Sequence, residues 1–273
     1  MLINCRGKLI DLTTPKVMGI LNVTPDSFYD GGYYANEKAI VDQVAKMIAD
    51  GATFIDVGVY SSKPNAALIS EQEELDRLLP VLDLILGHFP DVLLSIDTFR
   101  SAVAKQALEK GAAMINDISA GLLDDKMMEV VAQYQVPYIM MHMRGTPQTM
   151  TTLTQYDDLM KDVLFYFSER ILEARKLRIN DLLIDPGFGF AKTVEQNFEL
   201  LKHLAIFNSF ELPLLIGISR KSMIYKTLQT TPENALNGTT ALNAIAVQKG
   251  AKILRVHDVK EAVECIKLVT LLQ

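Results

Sequence analysis

Residues Leu93 to Thr98 read LLSIDT, a near-continuous apolar run that ends in an acid. Such a run fits a strand buried on both faces, because a strand with one wet face would alternate apolar and polar residues. The pattern recurs along the chain. VMGILNV from Val17 and TFIDVG from Thr53 precede it. MINDIS from Met114, YIMMHM from Tyr138, DLLIDPG from Asp181, PLLIGIS from Pro213 and KILRVHD from Lys252 follow it. Between the runs lie segments of helical period. Ile40, Val44, Met47 and Ile48 form one apolar stripe, Leu75, Leu78, Leu79 and Leu82 another, and Tyr156 to Leu177 is long and amphipathic. Gly51 and Gly111 stand where a helix should stop ahead of the next strand. Strict alternation of strand and helix through all these runs predicts an α/β fold, the (β/α)8 or TIM barrel. A doubly wound open sheet would want a GxGxxG or GxxxxGK(S/T) phosphate loop after an early strand, and neither occurs. Leu2 to Leu12, with Arg6-Gly7 as the turn, predicts a short N-terminal β-hairpin capping the barrel bottom.

The chain has 273 residues, which suits one barrel of roughly 250 residues, read here as a single domain over 1–273. Hydrophobic residues at 49% and charged residues at 22% exclude disorder as the main state. A net charge of −6 argues against general nucleic-acid binding, which needs a basic surface. It leaves room for a small basic pocket. Cys5 and Cys265 form no framework, so a reducing compartment is expected. The first residues, MLINCRGKLIDL, lack the apolar run of a signal peptide, and no stretch approaches the ~18 apolar residues that span a bilayer. The expectation is a cytoplasmic protein with no membrane and no nucleic-acid partner.

In barrels of this type the chemistry sits at the C-terminal ends of the strands. In chain order the runs end on Asn22, Asp56, Asp97, Asn116 with Asp117, His142, Asp185, Ser219 with Arg220 and Lys221, and Arg255 with His257 and Asp258. Asp117 and Asp258 read well as helix N-caps. Asp56, Asp97 and Asp185 do not, since each follows apolar residues and has Gly or Thr close behind. Several unpartnered buried carboxylates are costly, so their convergence implies a ligand rich in N–H donors, such as an amino-pyrimidinone edge. The basic residues fall on the last two strands, where barrels often hold phosphate. Asn22 to Gly32 and Ser61 to Ser70 are polar loops that read as lids or as ordinary surface loops. Phe188 and Phe190, set among glycines, either line an apolar slot for an aryl co-substrate or pack the loop. The four histidines have no zinc-ligand spacing, and no GxSxG elbow occurs. A weakly held Mg²⁺ fits an Asn or Asp at the mouth, because magnesium keeps its waters and takes few protein ligands.

The stretches MGILNVTPDSFYDGG, IDVG, SIDT, INDIS, MHMRGTPQTM, IDPGFGF, GISRKS and RVHDV occur in that order from the first run to the last. Together they resemble the dihydropteroate synthase family. The resemblance implies a pterin-binding barrel that joins 6-hydroxymethyl-7,8-dihydropterin diphosphate to p-aminobenzoate and releases diphosphate. It implies that Asp97, Asn116, Asp185 and Lys221 hold the pterin, with Met141 or Met140 as a wall. It implies that Asn22 holds Mg²⁺ and diphosphate, and that Arg255 and His257 anchor the diphosphate. Phe190, Ser219 and Lys221 then border the aryl substrate, with Phe28 and Pro64 from the two loops. Asp97, Asp185 and Lys221 are the expected catalytic set, and Asp56, Ser62 and Lys63 join the substrate-binding set. The second loop departs from the family's GGESTRPGA, reading GVYSSKPNA from Gly58 to Ala66. Ser62 keeps a hydroxyl and Lys63 a charge, but lysine cannot form a bidentate clamp. Ala191 stands where the family often has Gly. Two rival readings remain: a pterin-barrel methyltransferase, which has no diphosphate to hold, and a catalytically inactive pterin-binding paralogue, which the altered loop favours. The resemblance also implies a homodimer packed through outer helices.

Overall fold

The computed structural model describes residues 1–23, 32–60 and 69–272. Strands β1 (Leu2–Cys5) and β2 (Lys8–Asp11) form an antiparallel hairpin. Arg6 and Gly7 turn it with φ of 54° and 79°, the paired left-handed geometry of a type I′ turn. Eight parallel strands follow: β3 (Lys16–Asn22), β4 (Phe54–Gly58), β5 (Leu94–Asp97), β6 (Met114–Asp117), β7 (Tyr138–Met141), β8 (Leu182–Asp185), β9 (Leu214–Ile216) and β10 (Ala251–Val256). They close into a barrel in sequence order, β10 pairing with β3. The helices on the outside are α1 (Gly32–Ala49), α2 (Glu71–His88), α3 (Ser101–Lys110), α4 (Met127–Tyr134), α5 (Leu159–Lys176), α6 (Val194–Lys202), α7 (Ser222–Thr227), α8 (Leu236–Gln248) and α9 (Val259–Thr270). Gly51 and Gly111 follow α1 and α3 with φ of 100° and 112°, the left-handed step that ends a helix.

Side chains alternate across each strand and sort into three apolar groups. Ile55, Ile96, Ile115, Tyr138, Met140, Ile184 and Leu254 point outward into the belt shared with the helices. Met18, Phe54, Leu93, Met114, Ile139, Leu183, Leu215 and Ile253 point inward and fill the barrel floor. Ile3, Cys5, Ile10 and Leu12 of the hairpin close that floor from below. Each such buried side chain contributes about 1.5–3 kcal/mol, so the hairpin is an apolar plug rather than an appendage. A third group, Ile118, Met141, Met143, Met150 and Ala191, lies at the upper mouth against Phe99, Leu123 and Phe190. Inward positions above the floor present polar groups to one cavity, among them Asp56 with Ser95 in register, Asp97 with Asn116, Asp185 beside Met141, and Arg255 on β10.

Candidate active site

The strand ends bring the predicted acids together around one cation. Arg255 Nε donates to Asp56 Oδ2 at 2.6 Å, and its terminal nitrogen donates to Asp97 Oδ2 at 3.0 Å. Asn116 Nδ2 donates to the same Asp56 oxygen at 3.1 Å. Asp56 is fully buried, and its Oδ1 has no hydrogen-bond partner among the described residues. Ser95 Oγ, on the adjacent strand in register, is likewise buried and partnerless. Asp185 accepts the Gly187 N–H at 2.8 Å through Oδ1. Its Oδ2 would lie 3.9 Å from a Cβ built on Gly217, and Arg255 Cβ would lie 4.0 Å from the same point. Gly217 thus leaves open the space between Asp185 and Arg255.

The electrostatics follow from burial. Burial pushes Asp97 up to about 7, against the pull of Arg255 and with the push of Asp56. Burial also raises Asp185, with Lys221 and the Gly187 N–H opposing. Lys221 is driven down to about 8 by burial, with Asp185 opposing. Arg255 is desolvated too, but Asp56 and Asp97 more than offset this and raise it further. The expectation of an acid floor beside a separate cationic rim therefore needs one refinement. Arg255 sits within the floor as its internal counter-ion, because two buried carboxylates cannot remain charged without one.

Lys221 Nζ donates to the Phe188 carbonyl and lies 4.7 Å from the centroid of the Phe190 ring. Phe190 is half-buried and packs on the mouth group, whereas Phe188 is fully buried in the outer belt. Of the two loop aromatics, one packs the loop and one faces the mouth. Met141 belongs to the mouth and Met140 to the outer belt, so strand alternation decides between them. Ser219 Oγ accepts the His257 backbone N–H at 3.2 Å and bonds the ring Nδ1 at 3.0 Å, joining the ends of β9 and β10. His257 is exposed as a residue, with its Nδ1 held by Ser219. Desolvation, with Arg255 nearby, pushes the imidazole down to about 4, so the ring acts as a neutral hydrogen-bonding group. Asn22 is exposed at the rim, and its Oδ1 would lie 3.4 Å from a Cβ built on Gly58, beside Asp97. Among the described residues no cluster of three His, Cys, Asp or Glu side chains forms a metal cage. An amide oxygen at an open rim fits magnesium, which completes its shell with water and phosphate oxygens.

Ser62, Lys63, Pro64 and Phe28 lie outside the described residues. Asp117 is no helix N-cap: on the outer side of β6 it accepts from Ser119 and Gly121 of the following turn and from the Tyr138 hydroxyl of β7. Asp258 precedes α9 but its side chain makes no cap hydrogen bond; it pairs bidentately with Arg220. His142 turns outward among Tyr156, Tyr166 and Phe167.

Two residues at the site carried no earlier assignment. Tyr60 donates to Asp97 Oδ1 at 3.3 Å and stacks edge-on against Phe99. Lys192 is buried, with Nζ 2.9 Å from His142 Nδ1, 3.0 Å from the Gly187 carbonyl and 3.1 Å from that of Phe190. Its signal was a cation directly behind an apolar Gly-rich loop; that of Tyr60 was its place two residues past an inward strand end.

Residues 18–257 match the family described as pterin binding enzyme. The dihydropteroate synthase of Escherichia coli K12 is 45% identical over 266 residues, covering 97% of this chain and 94% of that protein. The chain belongs to the dihydropteroate synthase family. The solved dihydropteroate synthase of Yersinia pestis, in complex with a sulfonamide drug, superposes with a TM-score of 0.93 at 45% identity, covering 100% of this chain and 99% of that one. The Xanthomonas albilineans dihydropteroate synthase, solved with 4-aminobenzoic acid, gives 0.92 at 38% identity, with 100% and 98% covered. The altered loop after β4 is thus a local departure within a dihydropteroate synthase framework that spans the whole barrel.

Proposed function

We propose that the barrel mouth condenses 6-hydroxymethyl-7,8-dihydropterin diphosphate with p-aminobenzoate, giving 7,8-dihydropteroate and diphosphate. The observation that carries this reading is the convergence of Asp56, Asp97 and Asn116 on Arg255, with Asp185 across the gap kept open by Gly217. A flat heterocycle with N–H donors along one edge would meet Asp185 Oδ2, Asp97 and Asn116. Asp97 and Asp185 would stabilise positive charge developing at the exocyclic methylene, because fixed carboxylates in a dry site act strongly on it. Arg255 would face the departing diphosphate while remaining tied to the floor. His257 and Ser219 would hydrogen-bond the leaving group at the rim. Phe190 and Lys221 would border the arylamine. Mg²⁺ held at Asn22 Oδ1 would supply charge neutralisation for the diphosphate. Ser62 and Lys63 belong to this reading on motif position.

The chain is read as one domain over 1–273. A homodimer is supported by exposed Leu268, Leu271 and Leu272 at and after α9. A cytoplasmic location is supported by two free buried cysteines, and no described helix is long and apolar enough to cross a membrane. The test is diphosphate release with the pterin diphosphate, Mg²⁺ and p-aminobenzoate together. Release that requires all three supports the reading. No release, with retained pterin binding, supports the inactive paralogue, and methyl transfer from a methylated folate would support the methyltransferase.

A further inference from the structure

The loop Gly187–Lys192 reads GFGFAK and carries three left-handed residues, Gly187, Gly189 and Ala191, with φ of 73°, 80° and 50°. Such a path turns backbone carbonyls away from any regular ladder, so other donors must meet them. Side chains do this. Lys192 Nζ donates to the carbonyls of Gly187 and Phe190 and contacts His142 Nδ1. Lys221 Nζ takes the Phe188 carbonyl, and the Tyr156 hydroxyl donates to that of Ala191 at 2.9 Å. Asn197 Oδ1 accepts the Gly189 N–H at 2.7 Å.

Lys192 is the keystone of this arrangement because one ammonium ties both ends of the loop to each other and to the end of β7. A left-handed alanine costs about 1–2 kcal/mol relative to a helical one and persists only where its surroundings hold it. The loop's product is the placement of Phe190 beneath Lys221 Nζ and against Met141, Ile118 and Met143. Lys192 itself is buried, with its Nζ taken up by the two loop carbonyls and the His142 ring.

We propose that Lys192 is a positioning residue for the arylamine subsite, setting the Phe190–Lys221 wall without touching either substrate. This rests on the reading above. Lys192 holds the Phe190 carbonyl directly, whereas of the pterin residues it reaches only Asp185, and that through charge and through Gly187, whose N–H Asp185 accepts. Among the described residues no contact joins it to Asp97 or Asn116, so the larger effect falls on the arylamine. The test is steady-state kinetics of the full chain, varying each substrate in turn, for wild type, Lys192→Met and Lys192→Gln. Lys192→Met raises KM for p-aminobenzoate at least about tenfold, with KM for the pterin diphosphate within about twofold. Lys192→Gln keeps one amide donor and gives a smaller rise of the same selectivity; it carries the test should Lys192→Met fail to fold. Active variants with both KM values unchanged, or raised together, overturn the inference and leave the reaction standing. A wild-type chain with no turnover overturns both.

Discussion

Replacing Arg255 with methionine removes the charge that two carboxylates share while keeping an unbranched apolar stem in its place. Asp56 is fully buried, and the side chains of Asp97 and Arg255 are 12% and 17% exposed, so solvent screens little of the interaction. Removing one partner of a buried ion pair costs about 3–5 kcal/mol, chiefly because the remaining charge is stranded. The variant should relieve part of this by protonating Asp97. That group already sits at about 7 with Arg255 present, and loss of the guanidinium pushes it higher. As pH rises past about 7, folded wild type loses the Asp97 proton that the unfolded chain lost at about 4, whereas the folded variant keeps it. Its stability therefore falls by up to about 1.4 kcal/mol per pH unit relative to wild type until Asp97 ionises. Urea unfolding followed by far-ultraviolet circular dichroism at pH 6.5 and 8.5 measures this. The expected loss at pH 8.5 exceeds about 3 kcal/mol and is smaller at pH 6.5 by up to about 2 kcal/mol. A loss below about 1 kcal/mol at pH 8.5, or one equal at both pH values, would refute the counter-ion role.

Asp97→Asn keeps the shape of the site and removes its charge, so turnover should fall at least about a hundredfold, with little change in unfolding midpoint because Asp56 still neutralises Arg255; near wild-type turnover would remove the charge-stabilising role. Tyr60→Phe keeps the ring on Phe99 but deletes the donor to Asp97, which disfavours the carboxylate form. The acid limb of the kcat/KM profile should therefore move to higher pH, and an unmoved limb would leave Tyr60 a packing residue only. Gly187→Ala would place a Cβ 2.0 Å from the His142 carbonyl oxygen at a φ of 73°. With backbone against backbone, a destabilisation beyond about 3 kcal/mol is expected from thermal unfolding, and a variant as stable as wild type would mean this loop is free to shift.

The barrel was legible because strand runs buried on both faces and regular helical spacers leave few alternatives, and because Gly51 and Gly111 mark the stops. Their place at the ends of the runs also singled out Asp56, Asp97, Asn116 and Asp185. What one dimension could not carry was pairing across the barrel. Nothing local to Arg255 says that it reaches Asp56, 199 positions away, and Asp97, 158 away. The choice between Met140 and Met141 needed the strand's phase, which a short motif leaves open by one residue. Phe188 and Phe190 share composition and differ only in which side of a left-handed loop they leave. Lys192 drew no reading from the sequence because lysine is seldom buried, and two of its three partners among the described residues are backbone carbonyls, which no residue type encodes. Tyr60 stood out as a departure from the family's motif, but its bond to Asp97 appears only once β4 and β5 lie side by side.

The most direct test is a crystal structure of this chain soaked with the dihydropterin diphosphate and Mg²⁺. The account expects the ring edge on Asp97, Asn116 and Asp185, with the diphosphate against Arg255 and His257. A ring bound elsewhere, for example in the groove of about 610 Å³ between Glu71, Lys105 and Glu129 on the outer helices, would contradict it.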